Sequence, residues 1–545
     1  MSETDRRSLL KSAAAAAAFS LVEGTATSEA EPSLTSSGLQ FGPAKPFSFE
    51  ALKDRARQRV KQPYVAPLQP APEIVSKIDY EAWGKIKFDM EHALFANGPG
   101  QFPVSFFHLG KFFPKSVAMH VIEGGQAREI IYDPRYFTMP ADSPAQHLPK
   151  GAGFAGLRIQ EARDNKTYDW HTNDWVAFLG ADYFRAIGAL HQYGISCRVI
   201  ALDVAVADRP EEFPDFTHVY IDESGPKDGL TLYALIEGPS IVGAVKMECV
   251  RGTGVVMDIE QLFCLRRDIA RFGVAPLTSM YWFSEVMKPT AVDWRPEVHD
   301  SDGLTMWTGR GERLWRQLNN PPHIIASAFA DENPRGFGLM QRDRNFDHYL
   351  DGVMYEKRPS LWVEPRGQWG KGAVHLVEIP TDDEIHDNVV AMWVPEKPAT
   401  AGSEIDIAYK LYWLADEPHP TELARCVATR LGNGGQPGQP RPHGVRKFMV
   451  EFLGGPLASL PFGVLPEPVL WASRGTFSYI YTEAVPDNVP GHWRAQFDLT
   501  VTGADPVEMR LYLRAGNKIL SENWLFQYHP FTECQTSCYP KVGSQ

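Results

Sequence analysis

The stretch Val507-Glu-Met-Arg-Leu-Tyr-Leu-Arg514 alternates between apolar side chains and side chains that carry a charge or a hydroxyl. Because successive side chains of a β-strand point to opposite faces, the apolar residues would all share one face. These residues are Val507, Met509, Leu511 and Leu513. A helix would instead repeat its apolar residues every three or four positions. The stretch therefore predicts a strand with one buried face.

Runs with the same two-residue period occur along most of the chain, separated by clusters of Gly, Pro, Asp and Asn. They are Ser116–Ile122, Ala127–Tyr132, Thr217–Ile221, Leu230–Ile236, Ala244–Val250, Gly372–Ile379, Ile405–Leu414, Lys447–Leu453, Thr476–Tyr481 and Ala495–Val501. Such runs without helical crossovers are typical of antiparallel sandwiches. We therefore expect a mainly β chain with a large antiparallel β-sandwich at residues 48–414. A linker at 415–422 then precedes an immunoglobulin-like β-sandwich at 423–530.

Three helical segments interrupt this pattern in the prediction. Ser48 can cap a helix at Phe49–Lys61, because apolar residues recur there along one side. A second amphipathic segment follows Pro72. A third helix is expected at Tyr183–Tyr193.

The N-terminus has the pattern of an export signal. The charged segment Asp5-Arg-Arg-Ser-Leu-Leu-Lys11 precedes an apolar run and then small residues that a signal peptidase accepts. It resembles a twin-arginine signal, although Asp5 and Leu9 depart from the usual residues at their positions. The apolar run is shorter than the roughly 20 residues that span a bilayer. We expect residues 1–30 to be a signal peptide for export to the periplasm, and residues 31–47 to form a loose segment after it.

The net charge of −13 argues against nucleic-acid or anionic-membrane partners, because binding phosphates requires clustered Lys and Arg. At 545 residues the chain is too long for one ordinary core, so two or three domains are expected. The 14 Trp residues suit either the packed interior of β-sheets or platforms for sugar rings.

The cysteines and histidines predict neither a metal site nor a cofactor. Cys249 and Cys264 lie in apolar runs and are expected to be buried hydrophobic residues. Cys534 and Cys538 belong to a C-terminal tail at 531–545 and are close enough to pair in an oxidising compartment. No spacing suggests zinc.

The stretch Arg295–Asn320 combines carboxylates, aromatic rings, arginines and amides with few aliphatic residues. Asp300 and Asp302 would share a face on a strand, and Trp307 lies before a Gly-Arg-Gly turn signal. One interpretation is a polar surface loop. The other is a carbohydrate site, because sugars place apolar faces on indole rings and hydroxyls on carboxylates and arginines.

Six stretches, one of them within Arg295–Asn320, carry a resemblance to a known family. They are Phe178-Leu-Gly-Ala-Asp-Tyr-Phe-Arg-Ala186, Glu212-Phe-Pro-Asp-Phe216, His299-Asp-Ser-Asp-Gly-Leu304, Asn333-Pro-Arg-Gly-Phe-Gly-Leu339, Arg358-Pro-Ser-Leu-Trp-Val-Glu-Pro365 and Trp369-Gly-Lys-Gly372. In these stretches the chain resembles the periplasmic glucans biosynthesis proteins G and D. The resemblance covers nearly the whole chain after the leader. It implies a galactose-mutarotase-like β-sandwich followed by an immunoglobulin-like domain, and a role with osmoregulated periplasmic glucans, whose backbone is β-1,2-linked glucose.

Cleavage or transfer at a glycosidic bond needs an acid for the leaving oxygen and a base or nucleophile on the opposite face. The residues alone leave the choice open among Asp300, Asp302 and the acidic cluster at 382–388. The family is similar to glycoside hydrolases that cut β-1,2-glucan with inversion. That resemblance implies Asp387 as the general acid and Asp300 as the general base.

Other residues in these stretches are candidates for holding the sugar. Tyr355 could orient a hydroxyl or relay a proton, and Arg358 could hold a glucose unit, although a surface ion pair explains Arg358 equally well. His299 is expected to position Asp300. The remaining candidates are Asp302, Trp307, Trp362 and Trp369, and for each tryptophan the alternative is an ordinary place in the core.

Two functions of different classes remain open on the sequence. The first is an inverting β-1,2-glucanase or a transglycosylase that sets glucan length. The second is a non-catalytic protein that holds nascent β-1,2-linked glucan. The expected partner is this glucan, with no nucleic acid, no membrane span and no cofactor, and a homodimer is left open.

Overall fold

The computed structural model describes residues 38–288 and 291–530. Strands account for 45% of the structure and helices for 9%, arranged in several antiparallel sheets, so the prediction of a mainly β chain is confirmed. The predicted leader at 1–30, the first residues of the loose segment at 31–47, and the tail with Cys534 and Cys538 lie outside the described residues. Within the described part of the chain, none of the helices combines the length and hydropathy required to cross a bilayer.

The helices and strands have the following bounds. The α-helices are Phe49–Arg59, Pro72–Val75 and Tyr80–Gly84. The 3₁₀ helices are Met90–His92, Pro134–Tyr136, Pro144–His147, Phe346–His348, Tyr355–Lys357 and Gly455–Ser459. The strands up to residue 288 are Gln40–Phe41, Lys45–Pro46, Lys87–Phe88, Val104–Phe107, Ala118–Glu123, Gln126–Ile131, Phe137–Thr138, Gly156–Gln160, Asp174–Leu179, Tyr183–Ala186, Ser196–Arg198, Ile200–Leu202, Asp215–Asp222, Gly229–Glu237, Ile241–Arg251, Val255–Leu265, Phe272–Ser279 and Tyr281–Phe283. The later strands are Val298–His299, Gly303–Trp307, Arg313–Gln317, Ile325–Glu332, Gly336–Met340, Ser360–Pro365, Lys371–Glu378, Val389–Pro395, Glu404–Leu414, Arg425–Asn433, Val445–Leu453, Glu467–Ala472, Thr476–Ala484, His492–Thr500, Val507–Ala515, Lys518–Ile519 and Asn523–Tyr528.

The helix predicted after Ser48 is confirmed. The Ser48 hydroxyl accepts a hydrogen bond from the Ala51 N–H at 3.1 Å, as an N-cap should. The helix buries Leu52 and Ala56 in a hydrophobic cluster and ends at Arg59, slightly before the predicted Lys61.

The helix predicted at Tyr183–Tyr193 is wrong. Residues Tyr183–Ala186 form a strand instead, and Phe184 pairs with Phe178 on one side and with Cys197 on the other. The Phe184 and Phe178 rings also stack, with centroids 5.3 Å apart. Strand pairing on both sides satisfies the backbone N–H and C=O groups that a helix would have satisfied, and it also buries the phenylalanine rings. These contacts outweigh a weak local helical pattern.

The described residues divide into two compact units. Unit 1 comprises residues 38–278, 363–373 and 392–414. One of its sheets pairs five strands antiparallel in succession, and a parallel strand borders the first of them. The five are Asp215–Asp222, Gly229–Glu237, Ile241–Arg251, Val255–Leu265 and Glu404–Leu414. Cys249 and Cys264 are buried in these strands, as predicted.

Unit 2 comprises residues 279–362, 374–391 and 415–530, with 289 and 290 outside the described part. In one sheet Gly303–Trp307 lies between Arg313–Gln317 and Gly336–Met340. A four-stranded sheet is ordered Arg425–Asn433, Val445–Leu453, His492–Thr500 and Thr476–Ala484.

The strand Val507–Ala515 bears out the alternation in its sequence. Val507, Met509, Leu511 and Leu513 are all buried. The strand pairs with Glu467–Ala472 on one side and Asn523–Tyr528 on the other. Its two-residue period therefore reports one buried face.

Candidate functional site

The candidate site is built on a small hydrophobic cluster of unit 2. The short strands Tyr281–Phe283 and Val298–His299 pair, and their side chains pack with two tyrosines. The cluster consists of Met280, Phe283, Val298, Tyr349 and Tyr355. The packed cluster therefore fixes the backbone next to the polar residues that follow it in the chain. This limits the positions that their side chains can reach.

Asp300 directly follows the strand Val298–His299. Its N–H donates to the Met280 carbonyl at 2.8 Å, which holds the backbone of Asp300 against the cluster. Its carboxylate pairs with the Arg358 guanidinium, with Oδ1 and Nε 3.0 Å apart. The two side chains are 13% and 18% exposed, so the pair is shielded but reachable. An ion pair favours the carboxylate form of an acidic group.

Tyr355 lies on the turn just before Arg358. The turn is a 3₁₀ helix preceded by Met354 in the left-handed region at φ +56°. The Tyr355 hydroxyl donates to Glu384 Oε2 at 2.6 Å. Burial, together with the negative charges of Asp300 and Glu384, raises the pKa of Tyr355 far above its usual value. Tyr355 therefore stays protonated near neutral pH, beside both carboxylates.

Glu384 connects Tyr355 to a second arginine. The Arg295 guanidinium forms ion pairs with Asp293 at 2.9 Å, with Asp351 at 2.7 Å, and also with Glu384. The Glu384 side chain is 36% exposed, so it is the most accessible member of this group. Arg295 thus holds the segment that carries Glu384 close to the turn of Tyr355.

Asp387 lies on the same segment, three residues after Glu384. Its neighbour Asn388 is buried and bonds the backbone of Tyr281 in both directions, accepting at 2.8 Å and donating at 2.8 Å. The Asn388 amide also donates to the Ile379 carbonyl at 2.9 Å. Asp387 itself is half-buried. The segment is therefore anchored at both ends, by Arg295 near Glu384 and by Asn388 beside Asp387.

His299 is fully buried and bonds to two other side chains. Its Nε2 is 3.0 Å from Glu297 Oε2, and its Nδ1 is 2.9 Å from Gln341 Oε1. Burial alone would lower its pKa, but the hydrogen bond and charge of Glu297 outweigh burial and raise the pKa to about 9. His299 is thus a buried cation at neutral pH, one residue before Asp300.

Asp302 is also buried, and its carboxylate contacts the backbone of a neighbouring segment. Its Oδ2 accepts hydrogen bonds from the N–H groups of Arg342 and Asp343, both at 2.9 Å. Burial raises its pKa, which the charge of His299 partly opposes. Asp302 therefore ties the strand end near Asp300 to the segment that follows Gly336–Met340.

The three candidate tryptophans have different surroundings. Trp307 is half-buried in unit 2, and the guanidiniums of Arg313 and Arg335 lie 3.8 and 5.1 Å from its ring centroid. Trp362 is 1% exposed and packs against Gly336, so it follows the core interpretation. Trp369 belongs to unit 1, where its indole N–H donates to the Ala408 carbonyl at 3.2 Å.

Several members of this arrangement were missed by sequence reasoning. Glu384 stood in the acidic cluster at 382–388 without a role, and Arg295 opened the polar stretch without a partner. Their link is not visible in the sequence, because they are 89 residues apart. The sequence feature that could have identified Glu384 is its position as a carboxylate three residues before Asp387. Glu297 had a similar signal, two residues before His299.

One group of side chains has the composition of a cation site. Ligand atoms of Glu297, Asp343 and His348 lie within 4.8 Å of one another. His348 Nδ1 lies 2.5 Å from Asp343 Oδ2, and Glu297 Oε2 lies 3.0 Å from His299 Nε2. Each of the two carboxylates thus already has a histidine partner.

The arrangement can bind a polar ligand and move a proton. It offers a carboxylate held by a guanidinium, a protonated phenol, and a half-buried carboxylate on an anchored segment. Such a combination is typical of sites that handle hydroxyl-rich substrates by acid and base chemistry.

Comparison with known proteins now decides the family. The family described as "Periplasmic glucan biosynthesis protein, MdoG" matches residues 47–528. The chain belongs to this family. Membership of the MdoG family gives the chain a role in periplasmic glucan biosynthesis.

Individual relatives agree over nearly the whole chain. The chain is 65% identical to glucans biosynthesis protein D 2 of Ralstonia nicotianae, covering 96% of this chain and 98% of the relative. It is 45% identical to glucans biosynthesis protein D of Xanthomonas oryzae pv. oryzae, with coverages of 96% and 98%. It is 43% identical to glucans biosynthesis protein D of Stenotrophomonas maltophilia, with coverages of 90% and 91%.

The buried pair of Glu297 and His299 predicts a pH-dependent stability. The pKa of His299 is about 9 in the folded protein, against about 6.5 when unfolded. The contribution of the Glu297–His299 pair to the free energy of unfolding is therefore complete below about pH 6.5 and is lost as the pH rises through about 9. We expect Glu297→Gln to lower the free energy of unfolding by about 3 kcal/mol at pH 6, because it leaves a buried cation without its partner.

Urea unfolding at pH 6 and pH 10 measures this effect, and the loss should be much smaller at pH 10. Glu332→Gln is the matched control, because Glu332 is exposed in the same unit. It should change stability by less than about 0.5 kcal/mol at either pH. An equal loss for Glu297→Gln at both pH values would contradict a charged His299.

Proposed function

We propose that the protein cleaves or transfers the β-1,2-linked backbone of periplasmic glucan, with Asp387 as general acid and Asp300 as general base. One observation carries the proposal. Asp300 is paired with Arg358 beside the protonated Tyr355, and Tyr355 bonds to Glu384, three residues before Asp387. The proposed acid and the proposed base thus belong to two anchored segments that are connected through Tyr355 and Glu384.

The two carboxylates have surroundings that suit different roles. A general base must be ionised, and the guanidinium of Arg358 favours that form of Asp300. A general acid must reach the oxygen of the leaving sugar, and Asp387 is half-buried on a segment whose neighbours are fixed. An inverting enzyme needs such a pair on opposite faces of the sugar, with room for water between them.

Tyr355 is proposed to carry a proton between water and Asp300. Its high pKa keeps the hydroxyl protonated. In the relay the hydroxyl passes its own proton, which otherwise points to Glu384, to the Asp300 carboxylate and takes one proton from the attacking water. The hydrogen bond to Glu384 orients the hydroxyl, and Arg358 lies 5.4 Å from the centre of the ring. Arg358 and Glu384 also present hydrogen-bonding groups to sugar hydroxyls.

A non-catalytic role in holding nascent glucan is the alternative, since the same groups bind hydroxyls without reacting. Hydrolysis and transfer use the same acid and differ in the acceptor that attacks the sugar. Measurements on linear β-1,2-glucan separate these functions.

Replacing Asp387 with Asn should abolish catalysis and keep binding. Asn cannot donate a carboxylic proton, so kcat for oligosaccharide release from linear β-1,2-glucan should fall about 10²–10⁴-fold. Product sizing measures release, and calorimetry measures glucan binding. Asp382→Asn is the control, because Asp382 is exposed on the same segment, and it should retain activity.

Two outcomes would contradict the catalytic proposal. Absence of any product with the unmutated protein would favour the holding function. Full activity of Asp387→Asn would remove Asp387 from the reaction.

The proton relay predicts a specific loss for Tyr355→Phe. The ring remains and the hydroxyl disappears, so kcat should fall at least about tenfold with little change in KM. Tyr349→Phe is the control, because the Tyr349 hydroxyl donates to the Asp343 carbonyl at 3.2 Å and has no part in the relay. Steady-state kinetics decide the matter, and equal kcat values for the two variants would exclude a relay through Tyr355.

We further propose that the twin-arginine leader exports the folded protein. Recognition of this signal requires both arginines, Arg6 and Arg7. The double variant Arg6→Lys, Arg7→Lys should therefore accumulate in the cytoplasm, which cell fractionation measures. Normal periplasmic amounts of this variant would show that another route is used.

A further inference from the structure

Unit 1 contains a cavity of about 940 Å³ that the proposed reaction does not use. This volume lies near the upper end of the range for small-molecule sites, roughly 300–1,000 Å³. Two of the stretches that resemble the family line it, namely the beginning of 178–186 and most of 212–216. Every residue that lines the cavity belongs to unit 1, so the cavity is complete within that unit.

Aromatic rings form part of the cavity wall. Phe112, Phe213 and Tyr64 are half-buried there, while other rings of the wall are buried. The Phe213 ring is held by the buried Arg198, whose guanidinium lies 4.4 Å from the ring centroid, and by Tyr183, which stacks at 6.5 Å. A ring fixed in this way offers a flat apolar face with little loss of conformational entropy on binding.

Five of the nine charged side chains that line the cavity form ion pairs, and the other four are two basic and two acidic residues. Lys115 pairs with the buried Asp215 at 2.8 Å, and Arg209 lies 3.7 Å from Asp203. Glu211 pairs with Arg198 at 2.6 Å. The wall therefore presents hydrogen-bonding groups without a strong field of either sign. A neutral ligand with many hydroxyls fits these walls better than an anion or a cation.

The backbone around the cavity is held in uncommon conformations. Ala181 has φ +39° and Asp203 has φ +57°, although neither is glycine. The Ala181 carbonyl accepts a hydrogen bond from the Phe216 N–H at 3.0 Å, which joins the two stretches. Left-handed residues other than glycine cost free energy and collect at binding sites.

We propose that this cavity is a second oligosaccharide site, which binds a neutral glucan segment through the face of Phe213 and the paired charges around it. The identity of the sugar as β-1,2-linked glucan rests on the proposed function. Binding one polymer at two places on the same protein slows its release, because the second contact forms at high effective concentration.

The test counts binding sites on a protein that cannot turn over its substrate. Calorimetry of Asp387→Asn with linear β-1,2-gluco-oligosaccharides should show two sites per chain. Adding Phe213→Ala should remove one site or raise its Kd about tenfold, and Phe213→Tyr should keep both sites, because the ring is retained. Phe41→Ala is the matched control and should also keep both, since Phe41 is a half-buried ring of unit 1 outside the cavity.

The outcomes separate the two proposals. A count that Phe213→Ala leaves unchanged, with the variant folded by circular dichroism, would overturn the second site. If the cavity bound decanoate in a way that depends on Phe213 and did not bind the oligosaccharide, the assignment of the cavity as a sugar site would be overturned. Failure of the proposed reaction would appear elsewhere, as absence of product from the unmutated protein, and it would leave the count of sites untouched.

Discussion

The ion pair between Asp300 and Arg358 is the contact on which the candidate site depends. Arg358 ends the turn that carries Tyr355, so the pair places the turn and the carboxylate together. The pair is mostly shielded from water, where a carboxylate without its guanidinium would be strongly unfavourable. Tyr355 then reaches Glu384, and Glu384 reaches Arg295. A continuous chain of ion pairs and hydrogen bonds thus connects the Asp300–Arg358 pair to the segment that carries Asp387.

Hydrogen-bond partners stabilise the buried titratable side chains of unit 2. His299 remains a cation because Glu297 and Gln341 occupy both of its ring nitrogens. Asp302 accepts two backbone N–H groups, which replace the water that burial removes. These bonds give unit 2 a polar interior next to its hydrophobic cluster. A polar interior of this kind holds side chains at fixed distances, which acid and base chemistry requires.

The two units carry different sets of chemical groups. Unit 2 carries the carboxylates, the protonated tyrosine and the arginines. Unit 1 carries a cavity with aromatic rings and with charged side chains, several of which form ion pairs. The glucan that we propose as the substrate is a long chain rich in hydroxyl groups. A reactive group and a separate holding surface both suit a polymer, because a polymer extends beyond a single site.

The sequence by itself determined the mainly β class, the first helix with its Ser48 cap, and the residues Asp300, Tyr355 and Arg358 as candidates. These features follow from local periodicity, capping chemistry and short motifs. Tertiary structure decided the rest. It made Tyr183–Ala186 a strand, buried Trp362, and joined Arg295 to Glu384 across 89 residues. Pairing between distant segments decides such features, because backbone partners and burial come from residues far away in the chain.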